Sequence, residues 1–215
     1  MQAAKTTTVW VAIAATLVLF GSAAHGGILD LDESTAMSSS IENASRLPAM
    51  AFDDNTSTRW SSTFANNQWV LIDLKSDYLL REILIDWETA HSADYTLRTR
   101  TKSEGLDDPI NPANWHVIAT VTGRSGVSGG YGSADDLFDF GIGSFTALNG
   151  SATGSTVVTD PIAAYVMMYG TVRATQYGHS IFEFDINADP APEPATLTLL
   201  ALGGLGLLRS RRRKA

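Results

Sequence analysis

Between residues 28 and 188 the apolar residues come in short runs, several of them at alternate positions, and a 3.6-residue helical period is almost absent. The runs lie at 69–74, 80–87, 95–97, 115–121, 137–140, 164–169 and 181–186. In the last of them Phe182, Phe184 and Ile186 alternate with Glu183 and Asp185, the pattern of a strand whose two faces meet different surroundings. Turn-forming residues fill the gaps, as at Asp107-Asp108-Pro109 and Asn111-Pro112. Seven or more such segments with no helix between them predict an all-β antiparallel sandwich or jelly roll. The stretch at 123–133 is Gly/Ser-rich and that at 144–156 nearly so; both read as surface loops within one domain, and no internal repeat is present. The chain has no cysteine, so no disulfide or thiolate metal site can reinforce this body.

Both ends carry a different grammar. Lys5 precedes an apolar run at 9–20 and the small residues Gly21, Ser22, Ala23 and Ala24, the order of a secretory signal peptide cleaved after Ala24. Its core of about 12 residues falls short of the roughly 20 that cross a bilayer, which argues against a retained anchor. At the other end Pro192, Glu193 and Pro194 precede an uncharged stretch at 195–208 and the basic residues Arg209, Arg211, Arg212, Arg213 and Lys214. As a helix that stretch would reach about 21 Å against a hydrocarbon core of about 30 Å, so it suits transient inner-membrane contact better than permanent anchoring. The layout resembles the PEP-CTERM sorting signal of Gram-negative bacteria. The resemblance implies processing by an exosortase-type enzyme near Pro192, Glu193 and Pro194. It also implies delivery to the outer envelope surface or an exopolysaccharide matrix. The expected division is a signal peptide at 1–24, a folded domain at 25–188 and a sorting segment at 189–215. A signal helix and a C-terminal apolar helix would then flank the β body.

Charge narrows the choice of partner. The formal net charge is -8, but the basic residues concentrate at the ends. Residues 25–191 hold nine basic residues against twenty-two acidic ones, a balance of -13. A body that acidic repels phosphate backbones, which argues against nucleic-acid binding.

Acidic and hydroxyl groups crowd one segment, Ala51-Phe52-Asp53-Asp54-Asn55-Thr56-Ser57-Thr58-Arg59-Trp60. Asp and Asn side chains bond back to their own backbone in such a bend, so an ordinary Asx turn is one reading. The crowded oxygens also suit a hard cation such as calcium, which takes six to eight of them, although the twelve-residue EF-hand loop is missing. Both readings are open on the chemistry alone.

The same segment resembles the motif line of discoidin (coagulation factor 5/8 type C) domains, in the branch shared with family 32 carbohydrate-binding modules. Ala51, Asp53, Asn55, Thr58 and Trp60 match it. Downstream blocks follow in family order: Trp69-Val70-Leu71-Ile72-Asp73-Leu74, then Ile83-Leu84-Ile85-Asp86-Trp87, then Gly178-His179-Ser180-Ile181-Phe182-Glu183. The resemblance runs from about Ala36 to Ile186 and implies an eight-stranded, galactose-binding-like jelly roll with a structural calcium ion. The implied ligands are the Asp53 carboxylate, Thr58, main-chain oxygens near Met50 and Asn55, and the Glu183 carboxylate. Asp54 stands where the family usually has Gly, and Ser61 where many galactose binders have His.

Trp60, Trp69, Trp87 and Tyr95 lie inside strand blocks and are expected in the core. Arg59 is expected to pair with a strand-edge carboxylate. Loop aromatics and cations are the expected glycan contacts: His91, Trp115, His116, Arg124, Tyr131 and Tyr177. No G-x-S-x-G, H-E-x-x-H or P-loop motif occurs, and the alternating Asp86 and Glu88 do not by themselves make a glycosidase pair. The reading is a non-catalytic exported protein that binds glycan or exopolysaccharide. The alternative is a structural or adhesive matrix protein, and a stand-alone hydrolase is the least supported.

Overall fold

The computed structural model describes residues 27–125 and 136–191. The expected signal helix and C-terminal apolar helix, Tyr131, Pro192, Glu193 and Pro194 lie outside the described residues. Within them the chain is almost wholly β, with three 3₁₀ turns at Glu33–Thr35, Pro48–Ala51 and Pro112–Asn114.

The strands are β1 (Gly27–Ile28), β2 (Met37–Ser38), β3 (Trp60–Ser61), β4 (Gln68–Trp87), β5 (Ser92–Arg100), β6 (His116–Thr122), β7 (Asp136–Asp139), β8 (Ser144–Ala147), β9 (Gly154–Val157), β10 (Ile162–Arg173) and β11 (Ser180–Pro190). All pairings are antiparallel. The continuous order is β1-β11-β4-β10-β5-β6-β9.

The 20-residue β4 serves both layers of the sandwich. Its first part pairs with β2 and β10 (Leu71↔Met167), and its second with β7 and β11 (Ile85↔Phe184). Between the two parts Lys75 takes φ 70, a left-handed kink that a non-glycine residue rarely adopts. The core lies between the layers. Ile83, Ile85, Phe138, Phe184 and Ile186 come from one side, and Val70, Ile72, Leu97, Val166 and Met168 from the other. Trp60, Trp87 and Tyr95 are buried among them as expected.

The intervening residues explain why some runs look uniformly apolar. Leu71 and Met167 point away from the main core into a second cluster with Trp115 and Tyr165, against which Trp69 packs half-buried. Alternation is kept along these strands, but both faces are covered.

The β-sandwich is as expected, with eleven strands among the described residues beside the expected eight. Three of the additional pairings are two residues long, too short to show a period. The expected loop at 144–156 contains β8 and β9, whose side chains are half-buried or exposed. These strands are held by backbone pairing at the sheet margins, with one residue each, Phe145 and Val157, packed against the core, too few to show a period in sequence.

A buried polar network ties β4, β5 and β7 to the segment after β6. Arg124 Nε donates to Asp136 Oδ1 at 2.7 Å, and both side chains are fully buried. Trp87 Nε1 donates to Asp136 Oδ2 at 2.7 Å, and the Tyr95 hydroxyl donates to the same oxygen. Burial and the Asp136 charge push the Tyr95 hydroxyl well above its ordinary pKa, so it stays a donor.

Candidate functional site

The acidic bend follows the 3₁₀ turn at Pro48–Ala51. Asp54 takes φ 54 there, the left-handed backbone for which the family pattern places glycine. Local bonds shape the bend: Asn55 N–H donates to Asp53 Oδ1 at 3.2 Å, and the Thr58 hydroxyl lies 2.9 Å from both Asp53 oxygens and 2.8 Å from the Asn55 carbonyl. A long-range bond then fastens it to β11, where Glu183 Oε1 accepts from Asn55 N–H at 2.6 Å, 128 residues away in the chain.

Of the expected ligand set, Asp53, Asn55, Thr58 and Glu183 thus form one hydrogen-bonded group. Met50 stands in the adjoining turn, its N–H bonded to the Leu47 carbonyl at 3.1 Å. Two further carboxylates enter: Asp54, Glu183 and Asp185 place ligand oxygens within 4.8 Å of one another. Asp185 was not in the expected ligand set, although it lies two residues from Glu183 on the same strand.

No ion pair neutralises Asp53, Asp54, Glu183 or Asp185 among the described residues. Glu183 is 6% exposed, and its Oε2 is buried with no partner. Burial, followed by the nearby Asp53 and Asp185 charges, pushes its carboxyl up to about 8 against the pull of the Asn55 N–H. Burial and Asp54 also raise Asp185. An all-oxygen set with an orphaned buried carboxylate oxygen fits a hard divalent cation, which would reverse both shifts.

Beside β3 and the start of β11 lies a cleft of about 370 Å³. Ser61 and Ser180 form its floor, their hydroxyl oxygens 2.7 Å apart. The loop after β4 contributes Glu88 and Ala90, and the loop after β10 contributes Tyr177 and Gly178. A Cβ at Gly178 would lie 2.2 Å from the Ser62 carbonyl oxygen, so only glycine permits this approach. Phe64 and Tyr177 stand at the cleft 54% and 52% exposed, their rings edge to face at 5.7 Å. Glu42, Glu88 and Arg59 supply charge. One Glu88 oxygen accepts from Ala90 N–H at 2.7 Å. Contrary to expectation, Arg59 forms no carboxylate pair among the described residues; its Nε reaches Ser61 Oγ at 3.4 Å and its guanidinium sits 6.0 Å from the Phe182 ring centre.

Of the six expected glycan contacts, Tyr177 lines this cleft. His91 is buried, its ring nitrogens at 3.0 Å from the Thr89 carbonyl and 3.3 Å from that of Arg124. Trp115 packs edge-on against Tyr165, and Arg124 is the buried cation of the Asp136 network. Neither is the exposed loop contact that its sequence neighbourhood suggests. His116 is exposed on β6, with Nε2 2.6 Å from Glu104 Oε1, and does not line the cleft. Glu42, Arg59, Phe64 and Glu88 also line the cleft and were not among the expected contacts. The available signal was Phe64 alone among polar residues between two strand blocks.

Beneath the floor, His179 is fully buried, with Nδ1 2.7 Å from Ser92 Oγ. A Cβ at Gly170 would approach its ring to 2.6 Å. Burial, then the positive charges of Arg173 and His91, pushes its pKa down to about 4. Between about pH 6.5 and 4 the unfolded chain takes up this proton and the folded one does not. Stability is therefore full above that window and falls by about 3 kcal/mol as pH drops through it. The imidazole resonance of His179 is expected to titrate with a midpoint near 4; a midpoint near 6.5 would show a solvated ring.

Residues 50–135 match the F5/8 type C family described as NedA-like, galactose-binding domain. Residues 190–213 match the PEP-CTERM protein-sorting motif, which marks an exported protein. No curated protein matches the chain. Among solved structures it is similar to chitosan-binding module 1 from a chitosanase/glucanase of Paenibacillus sp. IK-5, a selenomethionine-labelled mutant. Identity is 30% over 76% of this chain and 99% of that one, with a TM-score of 0.55. It is also similar to chitosan-binding module 2 of the same enzyme, in complex with chitotriose. Identity there is 26% over 74% of this chain and 96% of that one, with a TM-score of 0.50. With its β-sandwich, its motif blocks and a relative matched over nearly its whole length, the chain belongs to the F5/8 type C family of galactose-binding-like domains.

Proposed function

We propose that this protein is a non-catalytic glycan binder, exported and displayed at the outer envelope surface or in an extracellular matrix, that holds its ligand in the cleft between Glu42, Glu88 and the Phe64–Tyr177 pair. The observation that carries the reading is the exposed aromatic pair at a concave site with polar groups converging on its floor. Aromatic faces receive the apolar faces of sugar rings, and carboxylates and hydroxyls take up their polar groups. The relatives are described as chitosan-binding, one of them with chitotriose bound. Glu42 and Glu88 are suited to an ammonium-bearing hexosamine of that kind, and the acidic body would draw such a polycation toward the cleft.

Titration of residues 25–191 with chitooligosaccharides is expected to give saturable binding. Tyr177→Ala is expected to weaken it at least about tenfold, as removal of a central aromatic anchor commonly does. Glu42→Gln with Glu88→Gln is expected to weaken binding of the amine-bearing polymer more than that of its acetylated form. Silence across a glycan panel, from a protein that melts normally, would favour the structural or adhesive reading instead.

The second part of the reading is that calcium occupies the acidic bend. Asp53, Thr58, Glu183 and main-chain oxygens near Met50 and Asn55 would hold it, with Asp54 and Asp185 close enough to join. The support is the unpartnered, buried Glu183 oxygen among carboxylates that no side-chain cation neutralises. The ion would stabilise the bend that precedes Arg59 and β3 and take no part in bond chemistry.

A further inference from the structure

Strand β11 runs between two poles of the domain. Its first residue, Ser180, lines the glycan cleft, and its last, Pro190, pairs with Tyr78 in the kink of β4. Its 11 residues extend over about 33 Å. The N-terminal β1 pairs at the far pole, Gly27 with Ala188, and Ala191 N–H donates to the Asp77 carbonyl there at 3.2 Å. A second groove, of about 240 Å³, lies at that pole between the N-terminal segment and the kink. Leu29, Leu31, Leu74 and Tyr78 give it apolar walls, and Lys75 and Asp32 pair within it at 3.6 Å.

The sorting motif matches from residue 190, the last residue of the sandwich. No spacer separates the folded domain from the Pro-Glu-Pro triplet at 192–194. From Ala191 to Ala195, where the uncharged stretch begins, the chain can reach at most about 14 Å even if fully extended. While residues 195–208 occupy a bilayer, the exit pole is therefore held against the membrane side, and the cleft points away from it. An enzyme acting at the triplet has to meet the exit pole as well.

We propose that the groove at the exit pole is a docking surface for the membrane-embedded sorting enzyme, which thus recognises the folded domain together with the motif. This rests on the reading of residues 190–213 as a processed sorting signal. The short span between groove and triplet is the argument for that occupant. Leu29, Leu31 and Tyr78 pack against the core yet stay partly exposed, and at the chain exit they offer a contact that a motif on a long linker would lack.

The test follows the full-length precursor in its native host by pulse-chase and immunoblot, reading the size shift as the C-terminal segment is removed. A flexible Gly-Ser linker of about 12 residues inserted between Ala191 and Pro192 lies outside the sandwich and keeps the Pro-Glu-Pro triplet, the uncharged stretch and the basic tail contiguous. It is expected to slow conversion about tenfold, by replacing a preorganised encounter with a tethered one. Leu31→Glu with Tyr78→Glu is expected to slow it similarly, while the separate body still melts cooperatively and binds glycan. Processing of the linker variant at the parental rate, or faster, would overturn the proposal by showing that the motif suffices or that the domain obstructs. Failure of the parent itself to be processed near residues 192–194 would instead remove the sorting reading beneath it.

Discussion

Millimolar calcium is expected to raise the melting temperature of the domain by about 10 °C over its value in chelator, and Asp53→Ala is expected to erase the difference. A ligand that binds only the native state stabilises by mass action, about 4 kcal/mol at a thousandfold excess over its dissociation constant. For a domain of this size each kcal/mol moves the midpoint by about 2–4 °C. The effect is large because an ion joining Asp53 to Glu183 closes a loop of about 130 residues in a chain that has no disulfide to do so.

Glu183→Gln separates the ion's contribution from that of the carboxylate. The amide keeps the shape and can still accept from Asn55 N–H, but buries no charge. In chelator at neutral pH this variant is expected to melt above the parent, because burial pushes the Glu183 carboxyl up to about 8 and so forces it to take up a proton on folding, a cost the amide does not carry. In calcium it is expected to melt below the parent. A parent that ignores calcium, or an Asp53→Ala variant that still responds to it, would place the ion elsewhere or nowhere.

Replacing Asp136 with alanine is expected to cost about 3–5 kcal/mol, the usual consequence of removing one partner of a buried ion pair. The change takes the neutralising carboxylate from Arg124 and an acceptor from both Trp87 Nε1 and the Tyr95 hydroxyl. The midpoint in urea should fall with little change in slope, since the surface exposed on unfolding is nearly the same. The double variant Arg124→Met with Asp136→Leu should recover the part of the loss owed to buried charge, while the bonds from Trp87 Nε1 and the Tyr95 hydroxyl to Asp136 stay lost. If the single variant melts within a degree of the parent, the network is solvated rather than buried.

The β body and the acidic bend were legible from local chemistry. Phe184 and Ile186 fall in the core at the spacing that alternation assigns to one strand face. The bend from Asp53 to Thr58 is built from side chains bonding to groups two to five residues away, so its shape is written into consecutive residues. The sorting segment is likewise a matter of order and composition, and the family match repeats that reading.

Arg124 shows where local reasoning stops. Its sequence neighbours Gly123 and Ser125 look like a loop, yet β-pairing brings Asp136 to it and turns an expected surface cation into the centre of the core's polar network. The cleft is the same case on a larger scale: Glu42, Phe64, Glu88 and Tyr177 come from four separate connections and meet because β3, β4, β10 and β11 hold those connections at one pole. By itself the sequence determined the strand periodicity, the oxygen-rich bend and the export grammar, since each depends on residues close together in the chain. Only the tertiary structure decided which charges are buried, which carboxylates join the bend and which loops line the cleft. Those outcomes depend on sheet register between separate segments, 12 residues apart for Arg124 and Asp136 and 128 for Asn55 and Glu183, which a pattern of neighbours does not carry.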